Sequence, residues 1–281
     1  MIANGAIKMQ NLESGAQLLA EKASRQQLAE TASPKKNSES SKVGETAKTR
    51  NIDFYSKKRT VIQPALELPE KLELNKRLRM DGLVFLKQLP RSTFPAAFFD
   101  PQYRGVLDHL AYGNETNSRA SNRMKFIQMT KQIPEFIREI DRVLMPSGHL
   151  FLWMDKFHLV SGFQDWLEDT DLKSVDMLTW EKYRIGMGYR TRRKSEFLIV
   201  AQKTPTRAKG VWTVHNIPDV WFERVVGASG VHAKPEKLQK ALVEAVTAEG
   251  ETVIDPAAGT FSVMNACLSC NRNFLGCDIN G

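Results

Sequence analysis

The stretch "ETVIDPAAGTFSVMNACLSCNRNFLGCDI", residues 251–279, decides the fold. It opens with an apolar strand pattern, "ETVID" (251–255), that stops abruptly at Asp255-Pro256. Small residues follow, then a helical run, then a second strand pattern, "NFLGCDI" (273–279), that ends in Asp278. Strand, tight loop, helix, strand, acid is the order of a unit that grips a nucleotide-like ligand. Small loop residues let the backbone approach, the helix start offers free N–H groups, and the acid accepts ribose hydroxyls.

A second strand ends the same way. "FPAAFFDPQYRG" (94–105) runs from buried-type residues straight into Asp100-Pro101-Gln102-Tyr103. An Asp-Pro turn with a core tyrosine would explain it, and so would a site, because open α/β sheets place ligands beyond the carboxyl ends of their strands. Asp81, after "RLRM" (77–80), is a third acid at a strand end, and an ordinary turn acid is the alternative there.

Between these points the chain alternates. Strand patterns fall at 77–80, 96–99, 149–154, 175–180, 196–202, 251–255 and 273–279. "PEFIREIDRVLMPSG" (134–148) reads as a helix with Ile137, Ile140, Val143 and Leu144 on one face, Pro134 in its first turn and Gly148 at its exit. "KPEKLQKALVEAVTAEG" (234–250) repeats the design with Leu238, Leu242, Val243 and Val246 inward. The strands at 175–180 and 196–202 have no helix between them and read as an antiparallel pair at one edge. The expected fold is α/β: a Rossmann-like, seven-stranded, mostly parallel sheet with an antiparallel edge pair and helices on both faces.

Composition sets the frame. With 281 residues, 42% hydrophobic and 26% charged, the chain reads as ordinary globular protein. No apolar run reaches membrane-span length and the N-terminus lacks a secretory core, so an intracellular place, cytoplasm or nucleoid, is expected. Residues 1–60 hold 11 of the Lys and Arg residues and 6 of the Asp and Glu, so they supply +5 of the net +8. That segment, with "TASPKKNSESSKVGETAKTRN", reads as a disordered basic tail, apart from a short helix allowed at 10–31. The folded domain is expected over 61–281, with a half spanning 77–203 and another spanning 232–281.

The ordered set DPQY (100–103), "RVLMPSGHLFLW" (142–153), "WEKYRIGMGYRTRRKSEFLIVAQK" (180–203), "HAKPEKL" (232–238) and DPAAGTF (255–261) resembles the permuted beta class of S-adenosylmethionine-dependent DNA amino-methyltransferases. In that class a catalytic Asp-Pro-Pro-Tyr precedes a cofactor loop Asp-Pro-Phe-x-Gly-x-Gly. The likeness runs from about residue 72 to the last residue. Three positions depart from it: Gln102 replaces the second proline, Phe261 stands where the class has glycine, and Ala257 stands in place of its phenylalanine. Phe261 either blocks the loop or fills the space left by Ala257.

The resemblance implies S-adenosylmethionine as cofactor and DNA as partner, either duplex with a flipped base or single-stranded, with adenine N6 preferred as acceptor. Cytosine N4, RNA adenine and a non-catalytic nucleic-acid-binding relic are the alternatives, and a homodimer is compatible with it. It assigns Asp100 and the Pro101 carbonyl to the base amine and Tyr103 to stacking. It assigns Asp255, Ala257, Gly259 and Thr260 to the methionine end of the cofactor, Asp278 to the ribose and Asp81 to the adenine. Lys234 falls beside the methionine moiety, with a helix start at Pro235 as the plain alternative.

"KYRIGMGYRTRRK" (182–194) carries six basic residues and no acid, interleaved with Tyr183 and Tyr189. Lys182, Arg184, Arg190, Arg192, Arg193 and Lys194 are therefore candidates for phosphate contacts; a solvated hairpin edge is the alternative. Arg119, Arg123 and Lys125 lie in a long polar stretch, 104–126, that reads as a loop over the site. Cys267, Cys270 and Cys277 lack the four-ligand spacing of a zinc site and read as helix and strand cysteines, so no metal is expected.

Overall fold

The computed structural model describes residues 59–101, 131–186, 191–225 and 233–281, all within the compact unit Thr49–Gly281. The expected basic tail (but for Arg59 and Thr60) and the helix at 10–31 fall outside the described residues. In chain order the elements are β1 (Arg77–Arg79), α1 (Gly82–Gln88), β2 (Phe94–Phe99), α2 (residues 131–143), β3 (Leu144–Met154), α3 (Lys156–Ser161), β4 (Leu172–Gly186), β5 (Arg193–Lys203), β6 (Val220–Glu223), α4 (Glu236–Val246), β7 (Thr252–Asp255), α5 (Ser262–Leu268) and β8 (Asn273–Asp278).

The strands form one sheet in the order β1-β8-β7-β2-β3-β5-β4-β6. Every neighbouring pair is parallel except β3–β5 and β5–β4, so β5 alone runs against the rest. The sheet has eight strands, not seven. The extra one, β6, pairs parallel with β4 through Thr179–Val220 to Lys182–Glu223, so the antiparallel pair is not the edge. Sequence reading misses β6 because it is four residues long and its Val220 and Phe222 are exposed.

Side chains alternate across the sheet with period two. Phe99, Leu150, Leu152, Ile254, Leu275 and Cys277 point into a core covered by α1 and α2. Phe98, Phe151, Trp153, Val253 and Phe274 point into a second core under α4 and α5. Helices on both faces are as the sequence implies. Among the described residues no helix is long and apolar enough to cross a membrane.

One junction differs from expectation. The helix over 131–143 passes directly into β3, so Leu144 to Gly148 are strand rather than helix exit. The pairing of β2 with β3 slips between Phe94–Leu144 and Ala96–His149, and Ser147 sits at φ 63° in that bulge. Gly148 is needed there because a Cβ would stand 2.8 Å from the Met145 carbonyl.

The chain leaves β7 outward through α5 to β8, and leaves β2 in the opposite direction toward β3. The sheet therefore opens a crevice between the carboxyl ends of β7 and β2, where ligands bind in such folds. The other end of the sheet is tied down at Arg59. Its guanidinium lies 2.7 Å from Glu251, both side chains nearly buried. Glu251 also accepts the N–H groups of Gln63 and Ala248, at 2.7 Å each.

Candidate active site

Asp255 ends β7 and Asp100 follows β2, on adjacent parallel strands with Ala97 paired to Ile254. Phe99, just before Asp100, is buried and stacked on Phe136 of α2, ring centroids 5.0 Å apart. This packing fixes the strand end from which Asp100 and Pro101 emerge. Gln102 and Tyr103 lie outside the described residues.

The loop after β7 is built around carboxylates. Asp255 Oδ1 accepts the Ala257 N–H at 3.0 Å. Asp255 is 4% exposed; its burial, opposed by that hydrogen bond and reinforced by the charges of Asp100 and Asp278, pushes the carboxyl well above the usual range. Asp278, at the end of β8, accepts the Gly259 N–H at 3.2 Å and the Asn280 N–H at 2.8 Å. Gly259 has φ +52°, and a Cβ there would meet nothing within 4 Å. Thr260 follows it in the same loop turn, and Ala257 packs against the α1–α2 core.

Phe261 takes neither course that the sequence leaves open. Its ring is 1% exposed, in the α4–α5 core, edge-on to Phe274 at 6.1 Å with the Arg77 guanidinium 5.2 Å from its centroid. Ala257 packs on the opposite core, so Phe261 does not fill its space. Nor does the ring cover Gly259. Phe261 nonetheless holds φ 60°, ψ 33°, the left-handed backbone that glycine adopts freely.

Asp81 caps α1, its Oδ1 accepting the N–H groups of Leu83 at 2.9 Å and Val84 at 3.0 Å. Gly82 beside it is a residue that sequence reading misses. A Cβ on Gly82 would stand 2.3 Å from the Pro256 carbonyl and 2.7 Å from Phe136. Only glycine lets α1 start this close to the β7 loop.

Lys234 lies just before α4, whose N-cap is Pro235. Its ammonium is 3.0 Å from Asp100 Oδ2 and 2.8 Å from Glu196 Oε2, and 4.8 Å from the Trp153 ring centroid. Burial would push this ammonium down, but Asp100 and Glu196 outweigh it and hold its pKa above the ordinary value. Burial would likewise push the Glu196 carboxyl up, yet Lys234 and Lys182 hold it at about 2. Glu196 reaches the site because β5 is antiparallel: its first residues lie at the carboxyl end of β3, where Phe197 pairs with Met154. The signal in the sequence was an acid at the foot of an otherwise basic hairpin.

Comparison with known proteins meets this geometry. A family model described as DNA methylase, of the N6/N4 type, matches residues 96–281. The chain is 53% identical over 208 residues to the type II methyltransferase M.HhaII of Haemophilus parahaemolyticus, covering 73% of this chain and 91% of that one. This chain belongs to the N6/N4-type DNA methylase family.

The methylase is a DNA amino-methyltransferase. It is also 24% identical over 219 residues to the type II methyltransferase M.HpaI of Haemophilus parainfluenzae, covering 69% of this chain and 67% of that one. Among solved structures, the M1.HpyAVI–SAM complex superposes with a TM-score of 0.52 at 16% identity, over 72% of this chain and 92% of that one. The PvuII DNA methyltransferase, cytosine-N4-specific by description, does so with 0.54 at 11% identity, over 78% and 85%. At these identities the two structures bear on the fold alone.

Part of the positive charge of the methylase's basic hairpin is paired. Lys182 pairs with Glu196, and Lys194 pairs with Glu181 across the β4–β5 ladder. Arg192 and Arg193 are exposed at the start of β5. Of Arg184 only the backbone, in β4, is described. Tyr183 is exposed with the Arg224 guanidinium 4.6 Å from its centroid. Arg190, Arg119, Arg123 and Lys125 lie outside the described residues. The three cysteines are buried as free thiols.

Proposed function

We propose that the enzyme methylates adenine N6 in DNA, with Asp100, Pro101 and Tyr103 as the clamp on the base and the β7–β8 loop as the cofactor seat. The observation that carries this reading is the placement of Asp100 beside Asp255 across the β7–β2 crevice. S-adenosylmethionine is the methyl donor of this family and supplies an electrophilic methyl group on a sulfonium. The residues present fit it: space is open over Gly259, and an acid, Asp278, stands at the loop mouth. Asp255, Ala257, Gly259 and Thr260 would line its methionine end, Asp278 its ribose and Asp81 its adenine.

An exocyclic amine is a poor nucleophile because its lone pair is delocalised into the ring. Asp100 and the Pro101 carbonyl accept hydrogen bonds from that amine, favour tetrahedral nitrogen and stabilise the positive charge that develops there. The rest is positioning in line with the methyl group. A duplex buries the base, so the target is flipped out, and Tyr103 offers a face for it to stack on. The exposed arginines of the β4–β5 hairpin supply phosphate contacts. In the class that the sequence resembles, aspartate at this position more often accompanies adenine and serine cytosine N4, and that association supports adenine.

The test is product identity. Purified protein is incubated with labelled S-adenosylmethionine and unmethylated DNA, with RNA and Asp100→Ala in parallel, and the polymer is digested to nucleosides. N6-methyl-2′-deoxyadenosine from DNA alone, lost in the variant, is the expected result. N4-methylcytosine would overturn the choice of base, and label in RNA the choice of polymer. No label in either polymer would leave the relic reading.

A further inference from the structure

We propose that Glu196 is a positioning residue that keeps the Lys234 ammonium shared between two carboxylates, so that Asp100 retains acceptor capacity for the base amine. This rests on the reading of Asp100 as the amine acceptor.

The geometry is that of a divided cation. Lys234 Nζ donates to Glu196 Oε2 at 2.8 Å and stands 3.0 Å from Asp100 Oδ2. The Lys234 side chain is 15% exposed, and the Trp153 ring lies beneath its ammonium. Glu196 is itself held, because its other oxygen, Oε1, takes Lys182 from β4. Among the described residues, the charged groups near Asp100 include Lys234, with Glu196 and Lys182 behind it, and Asp255 across the crevice.

An ammonium has three donors, and a carboxylate has about four acceptor sites. A nearly buried ammonium with one anionic partner closes fully on that partner. Left alone with Asp100, Lys234 would take up more of its acceptor sites and leave fewer and weaker ones for the neutral amine. Glu196 prevents this by claiming part of the ammonium. Lys234 still places a positive charge 3.0 Å from the Asp100 carboxylate, which favours its charged form. The two residues therefore act in opposite senses on one carboxylate.

Steady-state methylation of DNA by the full chain, measured across pH, separates the roles. Glu196→Gln should lower kcat about tenfold, the equivalent of one weakened transition-state contact, with KM for DNA and for S-adenosylmethionine changed less than about twofold. Its acid limb should stay in place or move to lower pH. Lys234→Met should move the acid limb to higher pH, because Asp100 loses its cation. In the double variant, Glu196→Gln should cause no further loss beyond Lys234→Met alone. A structural role would instead give multiplying losses. Multiplying losses, or a wild-type kcat for Glu196→Gln, overturns the proposal. If Glu196→Gln fails to fold by circular dichroism, Glu196→Asp, which keeps the charge but shortens the reach, carries the same comparison. Asp100→Ala, which removes the acceptor, is the control. Activity retained in that variant removes the amine-acceptor reading itself, whereas a dead Asp100→Ala beside an unaffected Glu196→Gln removes only the present proposal.

Discussion

Glu223, in β6, accepts the backbone N–H of Leu238 through Oε2 at 3.0 Å. Its other oxygen accepts the Lys237 N–H at 3.0 Å. Helix α4 has no side-chain cap of its own, since Pro235 occupies the N-cap. A carboxylate from another strand therefore does the work that Ser or Asp usually does. Trp221 Nε1 holds this carboxylate at 2.9 Å. Glu223→Ala should cost about 1–2 kcal/mol of stability, read from a urea midpoint. It should also raise KM or lower kcat, because the start of α4 sets where Lys234 stands. An unchanged midpoint would mean that water caps the helix as well.

Phe261 holds a left-handed backbone that costs a non-glycine residue about 1–2 kcal/mol. Burial of its ring offsets this, since deleting a buried phenylalanine costs about 3–5 kcal/mol. Phe261→Gly should therefore lower stability by roughly 2–3 kcal/mol despite relieving the backbone. A gain in melting temperature would show that the ring contributes less than its burial implies.

Gly82 touches the Pro256 carbonyl more closely than any side chain allows. Gly82→Ala should force α1 away from the β7 loop at a cost of about 1–3 kcal/mol. Calorimetry should show weaker S-adenosylmethionine binding, since Asp81 and the loop would part. Binding and stability both equal to wild type would mean that the loop yields freely.

His149 is buried in β3, stacked on Phe151, and its Nδ1 has no hydrogen-bond partner among the described residues. Burial, with Arg59 adding to it, pushes its pKa down to about 3 from an ordinary 6.5. Between those values the unfolded chain binds the proton and the folded one does not. Stability should therefore fall as pH drops through that window, by up to about 1.4 kcal/mol per unit. His149→Phe should flatten this part of the curve, measured as chemical denaturation at several pH values. A curve just as steep in the variant would assign the acid sensitivity elsewhere.

Much of the fold is legible in residues 251–279 and 94–101, because an apolar run that stops at Asp-Pro marks a strand end; that the strand ends meet at a ligand crevice follows only from the ordered companion motifs, since an Asp-Pro turn alone is as easily structural. What is not legible has physical reasons. The string Pro146-Ser147-Gly148 looks like a helix exit, but the helix has already ended at 143 and these residues form a bulge. The class of a residue does not reveal its φ, so the glycine-like backbone of Phe261 is invisible in the sequence. Glu196 and Asp100 lie far apart in the chain, and only the reversed direction of β5 brings the acid to the same end of the sheet. Lys182 and Lys194 look like free positive charge until the ladder sets Glu181 and Glu196 beside them.

The sheet order also governs when the site can exist. Strands β2, β3, β5, β4 and β6 are contiguous in the sheet and emerge before β7 and β8 from a growing chain, so they can pair with one another early. The other wall of the crevice, β7 and β8, comes from the far end of the sequence, and β1, though made first, has β8 as its neighbour. Such distant pairings close slowly. A nascent or truncated chain would carry Asp100 on a half-built sheet with an open edge where β7 belongs. The crevice between Asp100 and Asp255 is thus complete only once β7 has paired with β2, and the same long-range seam is where aggregation of incomplete chains would begin.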